Sequence, residues 1–438
     1  MDASRGGRVA VVALGCRVGR TDAASISSAL GPDFRAAATG EGGDWVIVAT
    51  CAVTADAAAS SRKAVRRAAR EHPGARILVA GCDAAFESAI LAGLPGVAAV
   101  VGPLEHASIP GVMARLRAGE ASGSALATAR AEAPSWDAPP DPASGPARPV
   151  LKIQDGCDAG CAYCAVPIAR GASRSLGFEE SLARIADVGR VRPEVVLAGV
   201  HLGAWGADLS PPRDLAALLR AVAVGRGVGR VRLSSIEPLD LPLPLLEEEA
   251  GSVLCEHFHL PLQSGSDRVL AAMGRPYRAA GYARVVDRVL RARPGAAVGA
   301  DVLVGFPGEA ETDHRATLAL LEGLPVAYLH VFPFSPRPGT TASAMPGRVP
   351  EPEVKRRTAE LREWAARRRD AFLAGLARRD LEVVVERVQD GVATGTSREY
   401  ARVRFPARGA SRGDRVTVRC GDDGVEVGRG VARTAAPS

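Results

Sequence analysis

Three cysteines stand within eight residues of one another in Cys157-Asp-Ala-Gly-Cys161-Ala-Tyr-Cys164, just after a short apolar run. Thiolates are soft ligands, and three on one loop can cap three irons of a 4Fe–4S cube. The fourth iron then lacks a protein ligand and is open to a small molecule. A structural zinc site normally closes with four ligands, and no His or Cys follows nearby to complete one. A disulfide suits neither three thiols on one loop nor the reducing compartment expected for this chain.

A second set is more dispersed. Cys16, Cys51 and Cys82 each fall one or two residues beyond the end of an apolar run, namely Val9–Leu14, Trp45–Thr50 and Ile77–Ala80. A fourth run, Val97–Val101, continues the series. Helix-like stretches separate them at Asp22–Leu30, Ala57–Glu71, Ala84–Leu91 and Glu105–Arg117. This βαβα rhythm predicts a parallel sheet covered by helices, whose strands all end on one ligand-binding edge. Three cysteines at that edge would converge. Buried thiols are common in cores, but the same position in three successive units favours a ligand set.

The rhythm resumes at Val150–Ile153, Val195–Val200, Val231–Ser235, His257–Leu260, Val298–Val304 and Ala327–Phe332. Helical stretches at Glu179–Val191, Asp214–Val224, Tyr282–Arg291 and Glu311–Leu321 alternate with them. Six such units suit a barrel or partial barrel, with loops gathered at the strand carboxyl ends. The Cys157 loop follows the first strand, at that rim. Other strand ends bring Gly199 and His201, then Ser234, Ser235 and Glu237, then Gln263 and Ser264, then Asp301. Each has a local structural reading as a turn, cap or core residue. Together on one rim they read as a ligand pocket. Cys255 and Cys420 have no such setting and read as structural thiols.

Composition sets the boundaries. Residues 6–118 form the first unit, 119–147 a Pro- and Ala-rich linker, 148–379 the barrel, and 380–436 a small β-barrel or sandwich of alternating runs. Two helical patterns near Glu353–Arg379 carry a dense Arg357/Arg367/Arg368/Arg369 face, and Ser60–Arg70 forms a basic helix whose default is a solvated face. With 47% hydrophobic residues the chain can bury real cores, but no run approaches the roughly 18 residues of a membrane span. The expected location is cytoplasmic. A net charge of +6, almost all of it arginine because only Lys63, Lys152 and Lys355 are lysines, favours an anionic partner.

The Cys157 loop, with Tyr163 before its last cysteine, resembles the radical S-adenosylmethionine (SAM) enzymes. Leu14-Gly-Cys16, Thr50-Cys51-Ala-Val-Thr, Ala80-Gly-Cys82, Arg170-Gly-Ala-Ser-Arg174-Ser, Leu233-Ser-Ser-Ile-Glu-Pro and Leu260-Pro-Leu-Gln-Ser-Gly-Ser-Asp extend the resemblance to the methylthiotransferases along nearly the whole chain. That resemblance implies an α/β protein: an N-terminal parallel-sheet domain, a central partial (β/α) radical SAM barrel and a C-terminal small β-barrel of the RNA-binding TRAM type. It implies two 4Fe–4S clusters, an auxiliary one on Cys16, Cys51 and Cys82 and a SAM-cleaving one on Cys157, Cys161 and Cys164. Tyr163, Gly199, Ser235, Glu237, Gln263 and Asp301 become the cofactor-binding set. Three positions depart from the family pattern: Ala49 for an Asn, Gly19-Arg20 for an Asn-containing stretch, and Asp83 for a Tyr.

Gly199-Val-His-Leu-Gly203, Trp205-Gly206 and the Val150–Cys157 run look most like the branch acting on N(6)-threonylcarbamoyladenosine in tRNA. The implied reaction is SAM-derived radical attack at adenine C2, beside the anticodon, followed by methylthio transfer. It needs an electron donor such as flavodoxin or ferredoxin, and a sulfur source. The alternatives are the same reaction on isopentenyl-adenosine in tRNA, or on an aspartate of a small-subunit ribosomal protein. An alternative of another class is a non-catalytic iron–sulfur protein that binds RNA or senses redox state.

Overall fold

In a computed structural model of the chain, residues 7–30, 34–36, 43–119, 136, 145–225, 227–421 and 424–433 are described. Most of the expected linker, including Pro134, Pro139, Pro140 and Pro142, lies outside these residues, as do residue 6 and residues 434–436.

The first unit runs β1 (Arg8–Ala13), α1 (Arg17–Ala29), β2 (Arg35–Ala36), β3 (Trp45–Thr50), α2 (Ala55–Glu71), β4 (Arg76–Gly81), α3 (Ala84–Ala92), β5 (Val97–Val101) and α4 (Ile109–Arg117). Its strands form a parallel sheet in the order β2-β1-β3-β4-β5. Strand side chains alternate between faces, so each strand feeds two cores. Trp45, Ile47, Leu78 and Ala80 pack with Ile26, Ile109, Val112 and Met113 on one face. Val46, Val48, Ile77 and Val79 pack with Val65 and Leu91 on the other. A sheet covered twice reads as continuous apolar runs, and β3 is buried at every position.

The second unit contains β6 (Val150–Lys152), β7 (Gln154–Asp155), α5 (Val166–Arg170), β8 (Arg174–Ser175), α6 (Phe178–Gly189), β9 (Glu194–Ala198), α7 (Leu215–Gly225), β10 (Arg230–Leu233), β11 (His257–His259), α8 (Asp267–Ala272), α9 (Ala279–Ala292), β12 (Ala297–Val304), α10 (Glu311–Glu322), β13 (Tyr328–Pro333) and α11 (Glu351–Ala374). Strands β6, β9 and β10 form one parallel sheet and β11, β12 and β13 another. A parallel bridge between Ser235 and His259 joins them into a partial barrel. All six expected barrel strands are present.

The expected pair of helices near Glu353–Arg379 is a single helix, α11, anchored by buried Leu361 and Trp364. Nor do its arginines share a face. Arg357 is buried against Glu309; Arg367 pairs with Glu363, and Arg368 donates to the carbonyls of Leu324 and Val326.

The last unit is an antiparallel sheet ordered β16-β15-β14-β17-β18, from β14 (Asp380–Gln389), β15 (Val392–Ser397), β16 (Arg402–Pro406), β17 (Arg415–Gly421) and β18 (Gly424–Arg433). The outer strands β16 and β18 approach each other, curling the sheet towards a barrel. Asp390 and Gly391 both have positive φ, as a two-residue hairpin of type I′ requires. The unit docks on the barrel through charge. Glu194 is fully buried between Arg230 at 2.7 Å and Arg232 at 2.8 Å. Those arginines reach on to Glu382 and to the carbonyls of Thr396, Ser397 and Arg398. Among the described residues no helix is long and apolar enough to cross a membrane.

Candidate active site and metal centres

Cys16 follows β1 and N-caps α1, accepting the Gly19 N–H at 3.5 Å. Cys51 and Cys82 follow β3 and β4 directly. The parallel sheet thus carries all three to its carboxyl edge. Gly15 makes the approach physically allowed: a Cβ there would sit 2.5 Å from the Cys51 Cβ, and its φ is +92°. Burial pushes the Cys82 thiol up to about 11, and a charge on Cys16 adds to the rise. Cys51 is raised for the same two reasons, burial first. Such thiols ionise when a metal or a cation takes up the charge.

The second triplet lies at the barrel rim. Gly156, φ +72°, turns the chain out of β7, where a Cβ would collide with the Ala172 carbonyl at 1.9 Å. Cys157 Sγ accepts the Ala159 N–H at 3.4 Å and lies 3.6 Å from His201 Nδ1. The other ring nitrogen of His201 pairs with Asp240 at 2.7 Å. Arg275 Nη1 donates to Cys161 Sγ at 3.2 Å. Burial, followed by the nearby Cys161 and Cys157, pushes Cys164 up to about 11.

Sulfurs around a single zinc ion sit about 3.8 Å apart. Among the described residues, one group of three ligand atoms lies within 4.8 Å: His259, Asp301 and His330. Both cysteine triplets are more open than that. Each triplet also has an arginine N–H on one sulfur, a charge-assisted bond that suits thiolates sharing a group larger than one ion.

The expected pocket residues fall into two groups. Tyr163 and Glu237 meet around Arg275, which bonds to Glu237 and lies 3.5 Å from the Tyr163 hydroxyl. Gly199 packs against Gln154, whose Oε1 would lie 2.8 Å from a Cβ there and accepts the His201 N–H. Ser235 is exposed at the β10–β11 bridge. Gln263 has φ +68° and bridges to Val302 on β12. Asp301 is committed elsewhere: His259 and His330 hydrogen-bond to it at 2.9 and 3.2 Å. Burial opposes its charge, yet those bonds hold it below the usual carboxylate range. Tyr328 completes this polar wall, 2.9 Å from His259.

The two rims face each other. The Ala55 N–H, beyond β3, donates to Ser335 beyond β13 at 2.7 Å. Asp83, beyond β4, pairs with Arg337 at 3.4 Å, and that guanidinium lies over Phe86. Between them lies a buried group of charges, Asp22 on α1 with Lys152, Asp155 and Arg170 of the barrel. Arg170 Nε donates to Cys82 Sγ at 3.3 Å. Sequence reasoning missed Arg170, Arg275, His259 and His330 as site residues. Arg170 stood within a recognisable motif, but nothing local signalled its partner 88 residues away.

A family profile described as the radical SAM superfamily matches residues 151–321, and one described as uncharacterized protein family UPF0004 matches residues 8–102. A tRNA-2-methylthio-N(6)-dimethylallyladenosine synthase of Sphingopyxis alaskensis is 34% identical, over 93% of this chain and 94% of its own. A threonylcarbamoyladenosine tRNA methylthiotransferase, MtaB, of Thermotoga maritima is 33% identical, over 82% of each chain. Among solved structures, the radical SAM methyltransferase TsrM of Kitasatospora setae, with cobalamin and a 4Fe–4S cluster bound, has a TM-score of 0.56 at 13% identity. That alignment covers 77% of this chain and 76% of TsrM, a likeness of fold.

Proposed function

This chain belongs to the radical SAM methylthiotransferases of tRNA, and from that premise we propose that it methylthiolates C2 of N(6)-threonylcarbamoyladenosine beside the anticodon. The observation that carries the reading is the facing of the two cysteine rims across the Arg170 charge group. Cys157, Cys161 and Cys164 are the ligands of the SAM-binding cluster, and Cys16, Cys51 and Cys82 those of the auxiliary one. When bound, these groups supply one-electron cleavage of SAM and a transferable sulfur.

The chain's own residues orient the reactants. Arg275 offsets charge at Cys161 and fixes Glu237 and Tyr163 beside it. Gly199, Ser235 and Gln263 would help to hold SAM at the same rim, where Asp301 acts by orienting His259 and His330. The N-terminal unit ends near 118, the linker spans 119–147, and the barrel gives way to the RNA-binding unit near 379. Adenine C2 carries an inert hydrogen, which suits radical chemistry over proton transfer. An adenosine in an anticodon loop is presented without opening a duplex. The partners are tRNA, a flavodoxin- or ferredoxin-like electron donor and a sulfur source, all cytoplasmic.

Relatives of both substrate kinds match about equally, so the residues must favour one. A dimethylallyl group is hydrocarbon, whereas a threonylcarbamoyl group carries a carboxylate and a hydroxyl. His259, Tyr328 and the half-exposed His330 make a polar wall around Asp301 and not a hydrocarbon one. Such a wall suits a polar substituent better than a dimethylallyl group. The test is turnover by the reconstituted enzyme, with SAM and reductant, on tRNAs carrying either nucleoside. Product on the threonylcarbamoyl tRNA supports the reading, and product on the dimethylallyl tRNA alone overturns it.

A further inference from the structure

Arg170 contacts both halves of the molecule through one planar group. It closes α5, six residues beyond Cys164. Its Nη1 donates to both oxygens of Asp155, at 2.9 and 3.0 Å. Its Nη2 donates to Asp22 of the N-terminal unit at 2.5 Å. Lys152 bonds the same two carboxylates, at 2.7 and 3.2 Å. All four charged side chains are at most 3% exposed. Two cations against two anions leave the buried group neutral, as the cost of an unpaired buried charge demands.

This arrangement over-determines the guanidinium. Three hydrogen bonds to carboxylates fix its plane, and the remaining Nε–H is aimed at Cys82 Sγ, 3.3 Å away. A thiolate bound to iron keeps lone pairs that accept such a bond. Charge-assisted bonds are about twice as strong as neutral ones. They favour the more negative, reduced form of a cluster, and hydrogen bonds to sulfur are among the levers that set its potential.

We propose that Arg170 is a positioning residue that raises the reduction potential of the auxiliary cluster through Cys82, while tying that cluster to the SAM-binding loop. The inference rests on Cys16, Cys51 and Cys82 being the auxiliary ligands. The same side chain would then govern both the electron affinity of the auxiliary cluster and its place relative to the other rim.

The experiment isolates one cluster in the full chain by Cys157→Ala, Cys161→Ala and Cys164→Ala, followed by anaerobic reconstitution with iron and sulfide. Its midpoint potential is read by an EPR-monitored redox titration. Arg170→Gln combined with Asp22→Asn keeps the buried charges balanced through Asp155 and Lys152. The expected result is an intact cluster whose potential is more negative than the parent's. Asp22→Asn alone, which retains the Nε–sulfur bond and removes a nearby negative charge, should not make it more negative. An unchanged potential in the double variant, with the cluster present, overturns the inference. Absence of any cluster in the triple-alanine parent overturns the auxiliary assignment itself, and the inference with it. A second readout needs no Arg170 variant: with 15N-arginine in the triple-alanine chain, ENDOR of the reduced cluster should show coupling to an arginine nitrogen. Its absence contradicts the proposed bond.

Discussion

Tyr400 of the C-terminal sheet stacks on His257 of the barrel with ring centroids 4.1 Å apart, and its hydroxyl bonds to Arg17 of the N-terminal unit at 2.9 Å. One side chain therefore joins all three units. Its positive φ of +67° is rare for a bulky residue and holds the ring out from the β15–β16 turn. The guanidiniums of Arg17 and Arg232 lie 5.6 and 5.3 Å from its centre.

Replacing Tyr400 by Ala removes the stack and both cation–π interactions, about 2 kcal/mol in sum. Tyr400→Phe loses only the Arg17 bond, about 1 kcal/mol. Thermal unfolding should place both variants below the parent, with the alanine variant the lower.

Glu194 is held well below the usual glutamate range: burial opposes its charge, but Arg232, Arg230 and Arg148 outweigh it. Its stabilising effect is complete above the unfolded value of about 4.3 and is lost as pH falls towards the depressed folded one. Glu194→Gln leaves two buried arginines short of an anion and should cost about 3–5 kcal/mol. Denaturation at pH 7 and pH 4 should show the parent weakening on acidification, while the variant, already weak at pH 7, loses less.

The two cysteine sets should separate in function. Cys82→Ala should halve the bound iron, abolish methylthio product and leave reductive release of 5′-deoxyadenosine from SAM. Cys161→Ala should also halve the iron, but abolish that release. Iron assay with chromatography of the nucleoside product distinguishes them. Equal loss of release in both variants would contradict two separate centres.

Arg402 and Arg404 alternate outward on β16 while Val403 and Phe405 point into the core. Through Thr394 on β15, Arg404 aligns with exposed Arg387 on β14. Changing Arg402 and Arg404 to Gln should weaken tRNA binding. The slope of log K against log salt should flatten by about 0.7 for each phosphate that an arginine no longer neutralises.

The two cysteine triplets stand out in the sequence because their placement is set locally. Cys157, Cys161 and Cys164 share one loop, and Cys16, Cys51 and Cys82 each follow a buried strand that reads as an apolar run. Strand β15, Val-Ala-Thr-Gly-Thr-Ser, has no apolar run to mark it and gains its order from its neighbours. Helix α11 looked like two because its charged surface breaks the apolar period. Arg275 meets Cys161 across 114 residues, and Asp301 meets His330 across 29. Such pairings exist only once the barrel has closed, so no window of sequence displays them.

The most direct measurement is mass spectrometry of tRNA nucleosides from cells with and without this gene. In its absence 2-methylthio-N(6)-threonylcarbamoyladenosine should disappear while the unmodified threonylcarbamoyl precursor accumulates. An unchanged level of that nucleoside, or loss of the 2-methylthio isopentenyl form instead, would contradict the proposed function.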